Sequence, residues 1–227
     1  MKNNLKTMGF ILCGISLLII GGSIGFFAGN DQVKCENCKQ EEQENKVKYK
    51  VSLEAPEDFS IATDTYDGGK HVNLTLTSAK KYSYIFVEVK AYYSTGELFV
   101  ESSDNFNLIG EKDELLMNLP ITKDGVDTIV VSVTTAEYDA NIVTYNKRML
   151  EFLTKENGDN LELVSENKLN SDLLIVNGYA LFYKEDKLVD TIPFSIENVS
   201  KENSISTSIA NSVKDYDKVI IHTNELY

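Results

Sequence analysis

Residues 82–93 read YSYIFVEVKAYY, and residues 173–183 read LLIVNGYALFY. The first run is apolar at both odd and even positions for part of its length, which predicts a central β-strand covered on both faces. Both runs end in an aromatic pair, Tyr92-Tyr93 in the first and Phe182-Tyr183 in the second. The two runs therefore indicate one structural pattern that is used twice.

The wider sequence repeats around these two runs. A shift of 90 residues without gaps aligns 67–137 with 157–227, and it keeps both turns and apolar runs in register. Asp67-Gly68, for example, falls on Asn157-Gly158. We infer that the body of the protein consists of two copies of one domain, which we place at residues 46–138 and 139–227.

Each copy has the pattern of an all-β domain. Asp-Gly and Asn-Gly pairs predict two-residue hairpin turns, because both central residues of a type I′ turn need a positive φ. Alternation of Val72, Leu74 and Leu76 with polar residues predicts a strand that is half exposed. The strand candidates are Val47–Leu53, His71–Thr77, Tyr82–Tyr93, Leu98–Ser102, Asn105–Ile109, Glu114–Leu119 and Thr128–Thr134 in the first copy, and part of Ile142–Leu153, then Leu161–Ser165, Leu173–Tyr183, Leu188–Thr191, Phe194–Ile196, Ser204–Ser208 and Lys218–Thr223 in the second.

Six or seven short strands per copy at this spacing predict a β-sandwich of immunoglobulin type. The predicted fold class is therefore all-β, with two tandem immunoglobulin-like β-sandwiches preceded by one transmembrane α-helix. The join near Ala140-Asn141 has no proline- or glycine-rich linker. We therefore expect the two sandwiches to be closely coupled.

The repeated core resembles the FxLYD-type domains of bacterial surface and secreted proteins. The resemblance rests on an apolar run, an aromatic pair, a few polar turn residues and a following strand. That order is VEVKAYYSTGEL at 87–98 and NGYALFYKEDKL at 177–188. Neither copy has an aspartate directly after the tyrosine, where the pattern places one. The resemblance implies an immunoglobulin-like fold outside the cell, and it supplies no catalytic residue.

An uncharged apolar stretch precedes the repeat. Residues 8–28 read MGFILCGISLLIIGGSIGFFA, with no charge between Lys6 and Asp31. At about 1.5 Å of rise per residue, a helix of this length spans the roughly 30 Å hydrocarbon core of a bilayer. Lys2 and Lys6 precede it without any acid, so the positive-inside rule predicts a cytoplasmic tail at 1–7. The expected location is the cell membrane, with a single pass and with the C-terminal domains outside.

The alternative interpretation of this stretch is a cleaved signal peptide. Cleavage after Ala28 or Gly29 places bulky Phe26 or Phe27 at the position that prefers small residues, and the apolar core is longer than such signals need. Gly21, Gly25 and Gly29 recur every four residues on one helix face. That spacing either lets two helices pair closely in a homodimer or reflects only the glycine content usual in membrane helices.

Residues 29–45 form a polar tether that contains Cys35 and Cys38 as a Cys-x-x-Cys pair. A redox enzyme of the thioredoxin type would place this pair within a βαβ unit, and a zinc site would need further ligands that the tether does not provide. Outside the cell a disulfide, within one chain or between two, is the favoured chemistry. The alternatives are that the pair has no role, that it binds metal or that it has redox activity.

The charge of the chain narrows the classes of partner. The sequence has 35 acidic and 22 basic residues, a formal net charge of −13, and Arg148 is its only arginine. A chain of this composition lacks the basic footprint of a nucleic-acid binder. The acidity indicates a solvated, aggregation-resistant surface or, alternatively, capture of divalent cations or a basic partner.

No set of residues in the sequence has the pattern of a catalytic, cofactor or metal site. His71 and His222 are the two histidines, they do not coincide under the 90-residue shift, and we expect surface or strand-end positions for both. The loop 64–69, DTYDGG, is the best candidate for calcium, but turn chemistry alone explains it. Asp127 and Asp217 recur before the last strand of each copy, which predicts a turn or capping role. We expect a protein that is not an enzyme and has no cofactor.

The sequence therefore predicts a non-enzymatic bacterial surface protein that contacts the lipid bilayer through residues 8–28 and presents two immunoglobulin-like domains. Its expected partner is an extracellular protein or another envelope component, and not nucleic acid. One alternative is an accessory subunit that docks on a membrane transporter or membrane enzyme. Another is a secreted protein whose signal peptide has been removed.

Overall fold

The computed structural model describes residues 49–211 and 213–227. Regular structure in these residues is β-strand apart from two three-residue 3₁₀ turns, Asp67–Gly69 and Lys147–Met149. The strands are β1 Lys50–Glu54, β2 Phe59–Tyr66, β3 His71–Ser78, β4 Tyr82–Tyr93, β5 Leu98–Ile109, β6 Glu114–Pro120, β7 Val126–Tyr138, β8 Leu150–Asn157, β9 Asn160–Asn167, β10 Leu173–Lys184, β11 Lys187–Val199, β12 Ser204–Ala210 and β13 Lys218–Leu226. The prediction of an all-β class is confirmed for this part of the chain.

Several predictions concern residues outside that description. The predicted transmembrane helix at 8–28, the glycine face of Gly21, Gly25 and Gly29, and the pair Cys35 and Cys38 all lie there. Within 49–211 and 213–227, the structure contains no helix with the length and apolar character needed to cross a membrane.

Strands β1 to β7 form two sheets that enclose one apolar core. One sheet has the strand order β1-β7-β4-β5 and the other has β2-β3-β6. Every pairing is antiparallel except that of β1, which runs parallel to β7. Alternate side chains of β3 and β4 point into the core, because successive residues of a strand face opposite sides of its sheet. We call this part the first sandwich.

Strands β8 to β13 repeat the arrangement with one strand fewer. One sheet has the order β11-β10-β13 and the other has β12-β9-β8. Their buried side chains form a second apolar cluster, with Phe182 and Leu163 among its fully buried members. We call this part the second sandwich. Both sandwiches also share unusual backbone: Leu108 and Asn198 have φ of 56° and 57°, and Lys112 and Glu202 have φ of 65° and 54°.

The 90-residue shift holds for the sheet neighbours of the central strand, β5 with β11 and β7 with β13, but it fails in the central strand itself. Ile85, Val87, Val89 and Ala91 are buried in β4, whereas the buried residues of β10 are Val176, Gly178, Ala180 and Phe182. The offset there is therefore 91, and the stretch between the paired residues Tyr183 and Leu188 is one residue shorter than that between Tyr92 and Leu98. A slip of one residue turns every side chain of a strand to the other face, so an ungapped alignment exchanges the inner and outer faces of β10.

The sequence also misjudged several strand bounds. It missed β2, because FSIATDTY is polar and lies at a sheet edge with half of its side chains exposed. It divided β5 and β11 into two strands each, at a polar run and at Pro193 respectively. Both are edge strands, and an edge tolerates polar residues and a proline that lacks an N–H donor. The expected type I′ turn at Asn157-Gly158 is also wrong, since only Gly158 has a positive φ.

Candidate functional site

The two sandwiches meet where the end of β13 contacts the edge strands β5 and β6 of the first sandwich. The register of β13 against β10 shifts between Asn177 and Gly178, which leaves Asn224 as an extra residue on β13. A β-bulge of this kind re-aims a side chain. Here the side chain of Asn224 points toward the first sandwich. We call the contacts between the sandwiches the junction.

Asn224 binds the backbone of Leu116 in β6 through both atoms of its amide. Its Nδ2 donates to the Leu116 carbonyl oxygen at 2.7 Å, and its Oδ1 accepts from the Leu116 N–H at 2.8 Å. The side-chain amide therefore provides the two hydrogen bonds that a neighbouring strand would otherwise make. Because β6 is an edge strand, Asn224 caps a backbone site that the first sandwich leaves open.

Glu225 does the same for β5, the edge strand of the other sheet. Its Oε1 accepts from the Asn107 backbone N–H at 2.9 Å, and its Oε2 accepts from Asn177 Nδ2 at 3.3 Å. Burial raises the pKa of the Glu225 carboxyl, while the Asn107 N–H acts in the opposite direction. Two consecutive residues of β13 thus bind two different sheets of the first sandwich.

Lys147 ties the connecting segment to the same place. Its ammonium lies 3.1 Å from the Asp113 carboxylate and donates to the Asn224 carbonyl oxygen at 2.7 Å. Burial lowers the pKa of Lys147, and the charge of Asp113 opposes that shift. An ion pair that is this enclosed is costly to break, because the remaining partner becomes an uncompensated buried charge.

His222 lies in the middle of β13 and is partly buried at the junction, where a surface or strand-end position was expected. Its Nε2 is 3.1 Å from the carbonyl oxygen of Glu114 in the first sandwich. Burial lowers the pKa of His222, and the nearby charge of Lys147 lowers it further. His71 is different: it stacks on Tyr66 at the start of β3, with 4.8 Å between ring centroids.

A second polar contact joins β3 to β11. Asn73 donates from Nδ2 to Thr191 Oγ1 at 2.9 Å and accepts at Oδ1 from Asn118 Nδ2 at 2.7 Å. Asn118 also donates to Tyr66 Oη at 3.0 Å. The polar side of β3, which was expected to be exposed, is therefore covered in part by the second sandwich, and Asn73 is only 4% exposed.

The cavity beside the junction is too small for a ligand. It has a volume of about 60 Å³ and is lined by residues such as Leu74, Asp104, Asn118 and Tyr179. Ligand pockets are several-fold larger, roughly 300–1,000 Å³. Burial raises the pKa values of both Asp104 and Tyr179. The cavity is a packing gap with polar walls between the sandwiches.

A larger depression of about 530 Å³ lies on the outer face of the β1-β7-β4-β5 sheet. Glu88 and Lys90 line it, and Lys90 forms ion pairs with Glu88 and Glu101. Its central charges are therefore compensated within the sheet. The depression is shallow and open, and its other polar lining includes Glu54, which accepts from the Ser132 hydroxyl at 3.1 Å.

The candidate calcium loop has ordinary turn contacts. Asp64 accepts from the Thr65 N–H at 2.8 Å, and Asp67 forms an ion pair with Lys70 at 3.4 Å. In the described ranges, no group of three or more His, Cys, Asp or Glu side chains is placed to hold a metal ion. Asp127 accepts from the Thr128 hydroxyl at 2.8 Å, and Asp217 accepts from the Glu185 N–H at 2.9 Å.

Sequence reasoning missed the residues that form the junction, namely Lys147, Asn224 and Glu225. The 90-residue shift places Asn224-Glu225 on Thr134-Thr135, so one polar pair replaces another. That replacement marks a difference between the copies, but it does not distinguish a docking residue from a solvated one. The bulge that aims Asn224 cannot be found without the register of β10 and β13.

No family model matches the chain, and no curated protein matches it. Among solved structures, the chain is similar to the crystal structure of red sea bream transglutaminase, with 8% sequence identity and a TM-score of 0.23. The match covers 70% of this chain and 32% of the transglutaminase chain. A likeness this low carries no argument about activity.

Proposed function

We propose that this chain is a non-enzymatic, single-pass membrane protein of the bacterial cell surface. In this proposal residues 8–28 anchor it, and its two immunoglobulin-like sandwiches act as one binding module for a protein or another envelope component. The apolar stretch and its basic N-terminal flank support the location. The acidic composition supports a solvated body and a partner other than nucleic acid.

The observation that carries the binding role is the junction. Asn224 and Glu225 fill backbone hydrogen-bond sites on both sheets of the first sandwich, and Lys147 adds a partly buried ion pair with Asp113. Such contacts hold two sandwiches at one spacing and orientation. A module whose faces are fixed before binding loses less conformational entropy when a partner binds, which favours affinity.

The junction also explains why three ionisable groups that lie in it have shifted pKa values. A cluster of such groups is often the sign of an active site. Glu225, Lys147 and His222, however, are engaged with backbone atoms or a counter-ion across the junction. Their shifts follow from burial between the sandwiches, which supports a structural role for them.

The location is tested by tagging both ends of the full chain and adding protease to intact cells without their wall. We expect loss of the C-terminal tag and survival of the N-terminal tag, with the chain in the membrane fraction. A matched pair of variants gives the control: Leu18→Arg should impair anchoring, because a central arginine costs about 3 kcal/mol, and Leu18→Val should not. A C-terminal tag that resists protease, or a chain found in the medium without residues 8–28, would contradict the proposal.

A further inference from the structure

In the described part of the chain, no strand pairs with the outer edge of β13, whereas its counterpart in the first sandwich, β7, pairs there with β1. In the first sandwich β1 pairs in parallel with β7, from Lys50 opposite Thr128 to Glu54 opposite Ser132. In the second sandwich β13 is the edge strand of its sheet. Within 49–211 and 213–227, no strand pairs with that edge.

The missing strand leaves the core of the second sandwich partly exposed. Ile129 and Val131 of β7 are both 0% exposed, and their register partners in β1, Val51 and Leu53, pack against the same core. The corresponding residues of β13, Val219 and Ile221, are only partly buried. The edge therefore offers unpaired backbone groups together with apolar side chains.

The connecting segment explains why this edge is open. The chain leaves β7 at Tyr138 and enters β8 at Leu150, and the stretch between them contains a 3₁₀ turn but no strand. The Asp139 N–H donates to the Lys81 carbonyl oxygen and Lys81 Nζ donates to the Ile142 carbonyl oxygen, so the segment starts beside the first sandwich and not beside Lys218, before Lys147 contacts Asn224. From His222 onward the first sandwich contacts β13. The open edge is consequently Lys218–Ile221.

Charge at the filled edge indicates which strand the open edge would take. Asp127 at the start of β7 forms an ion pair with Lys50 at the start of β1, at 3.5 Å. Asp217 holds the corresponding position before β13, and the strand that would provide a counterpart of Lys50 is absent from the described second sandwich. The second and fourth residues of β1 are its partly buried ones, so the corresponding residues of an added strand would face the core.

We propose that the open edge Lys218–Ile221 binds an extended segment of a partner protein as an added strand parallel to β13. The segment carries a basic residue beside Asp217 and apolar residues at its second and fourth positions. Strand addition of this kind takes affinity from backbone hydrogen bonds and specificity from alternate side chains. This inference deepens the proposed binding role and rests on it.

A second copy of this chain fits the edge less well than a different protein. Every described strand already belongs to a sheet, so a second copy would have to give up one of its own strands or pair edge to edge. Each chain also has a formal net charge of −13, which opposes self-association. A basic, extended partner segment has neither disadvantage.

The probe for this proposal is a labelled peptide with the sequence of residues 49–55, YKVSLEA, which fills the equivalent edge of the first sandwich. We expect saturable binding to the full chain in detergent, measured by fluorescence anisotropy. A scrambled peptide that breaks the apolar alternation should bind at least about threefold more weakly, since each lost apolar contact or ion pair at an exposed site costs up to about 1 kcal/mol. Absence of binding, or equal binding of the scrambled peptide, would overturn the proposal.

Two variants locate the binding on β13. Asp217→Lys should weaken binding at least about threefold, because it replaces an attraction with a repulsion. Asp127→Lys is the matched control, and it should leave peptide binding unchanged because β1 already fills that edge. Val219→Lys places an inward-pointing charge on the open edge, a device that blocks strand addition, and it should abolish binding. Equal affinity of the Asp217→Lys and Asp127→Lys chains would overturn the assignment.

Amide hydrogen exchange distinguishes a partner segment from the two other possible occupants of the edge, namely another part of this chain and a second copy of it. In the chain alone, the outward amides of Lys218–Ile221 should exchange fast, and the peptide should slow them. Slow exchange in the isolated monomer would mean that another part of this chain fills the edge, and slow exchange only in a self-associated form would assign it to a second copy; either result overturns the proposal. Failure of the peptide assay leaves the protease result on intact cells unchanged, so the two proposals fail separately.

Discussion

The last strands of the two sandwiches, β7 and β13, hold the same place in the fold and have different neighbours. Strand β7 has β4 on one side and β1 on the other, and its core-facing side chains are fully buried. Strand β13 has β10 on one side only. Its open half exposes core residues, and its far half binds the first sandwich through Asn224 and Glu225.

This difference shows that corresponding positions of the two sandwiches make different contacts. The bulge occurs at the same place in both copies, with Thr134 as the extra residue on β7 and Asn224 as the extra residue on β13. Thr134 is exposed, whereas Asn224 is buried against Leu116. One polar replacement at an existing irregularity therefore converts a solvated position into a docking contact.

The largest effect that would sharpen this comparison is expected at Gly178. It occupies the place of Val87 in β4, but a Cβ there would collide with the His222 carbonyl oxygen and would lie 2.8 Å from Phe194 Cζ. Gly178→Val should destabilise the chain by about 3 kcal/mol or more, because the collision involves backbone. Urea unfolding of the full chain in detergent measures the change. Val87→Ala is the control for simple loss of burial, at about 2 kcal/mol; a Gly178→Val chain as stable as the wild type would show that β10 does not have this register.

The next effect compares two isoleucines that face the two cores. Ile129 of β7 is fully buried under β1, and Ile221 of β13 is partly exposed at the open edge. Ile129→Ala should cost about 3–4 kcal/mol, and Ile221→Ala about half as much, because truncation costs scale with the apolar surface that is buried. The two unfolding midpoints test this. Equal losses would mean that the edge of β13 is covered as well as that of β7.

The junction itself is tested at the two bulge residues. Asn224→Ala removes the partners of both the N–H and the carbonyl oxygen of Leu116 and should cost about 2 kcal/mol, since a buried group left unsatisfied costs about 1–3 kcal/mol. Thr134→Ala at the matched position should change stability by less than about 0.5 kcal/mol, because the residue is exposed. If both variants unfold at the same urea concentration, Asn224 does not contribute to docking.

The smallest effect is a pH dependence. Folding lowers the pKa of His222, so the stability it contributes is complete above the unfolded pKa of about 6.5 and is lost as the pH falls below that value. Glu225 acts in the opposite direction, since folding raises its pKa and favours its protonated form. The comparison of wild type with His222→Gln isolates the histidine. The stability advantage of the wild type should shrink between pH 7.5 and pH 5.5; an advantage that is constant or grows would contradict the junction position of His222.

The sequence predicts the strands with regular alternation far better than it predicts the contacts between sandwiches. Strand β4 was placed at its observed bounds because its apolar run is long and turns flank it. Strand β2 was missed because an exposed edge strand needs few apolar residues. The expectation that β4 is covered on both faces was wrong, since its outward side chains are half exposed.

The junction could not be predicted for a physical reason. Asn73, Asn224 and Glu225 are polar residues on strands, and their burial depends on a second domain at a particular distance and orientation. A hydrophobic pattern contains the period of a strand but not the position of a neighbouring sheet. The repeat offset of 91 in β10 made the prediction harder still, because an alignment at 90 assigns the wrong face to every residue of that strand.

Strand β13 caps edge strands of both sheets of the first sandwich and thereby joins the two sandwiches. Amide hydrogen exchange at Leu116 and Asn107 tests it most directly, because both N–H groups lie on edge strands and donate only across the junction to Asn224 and Glu225. We predict that these two amides exchange as slowly as paired amides within β4, and that Asn224→Ala accelerates exchange at Leu116. Exchange at the rate of exposed loop amides in the wild-type chain would contradict the account.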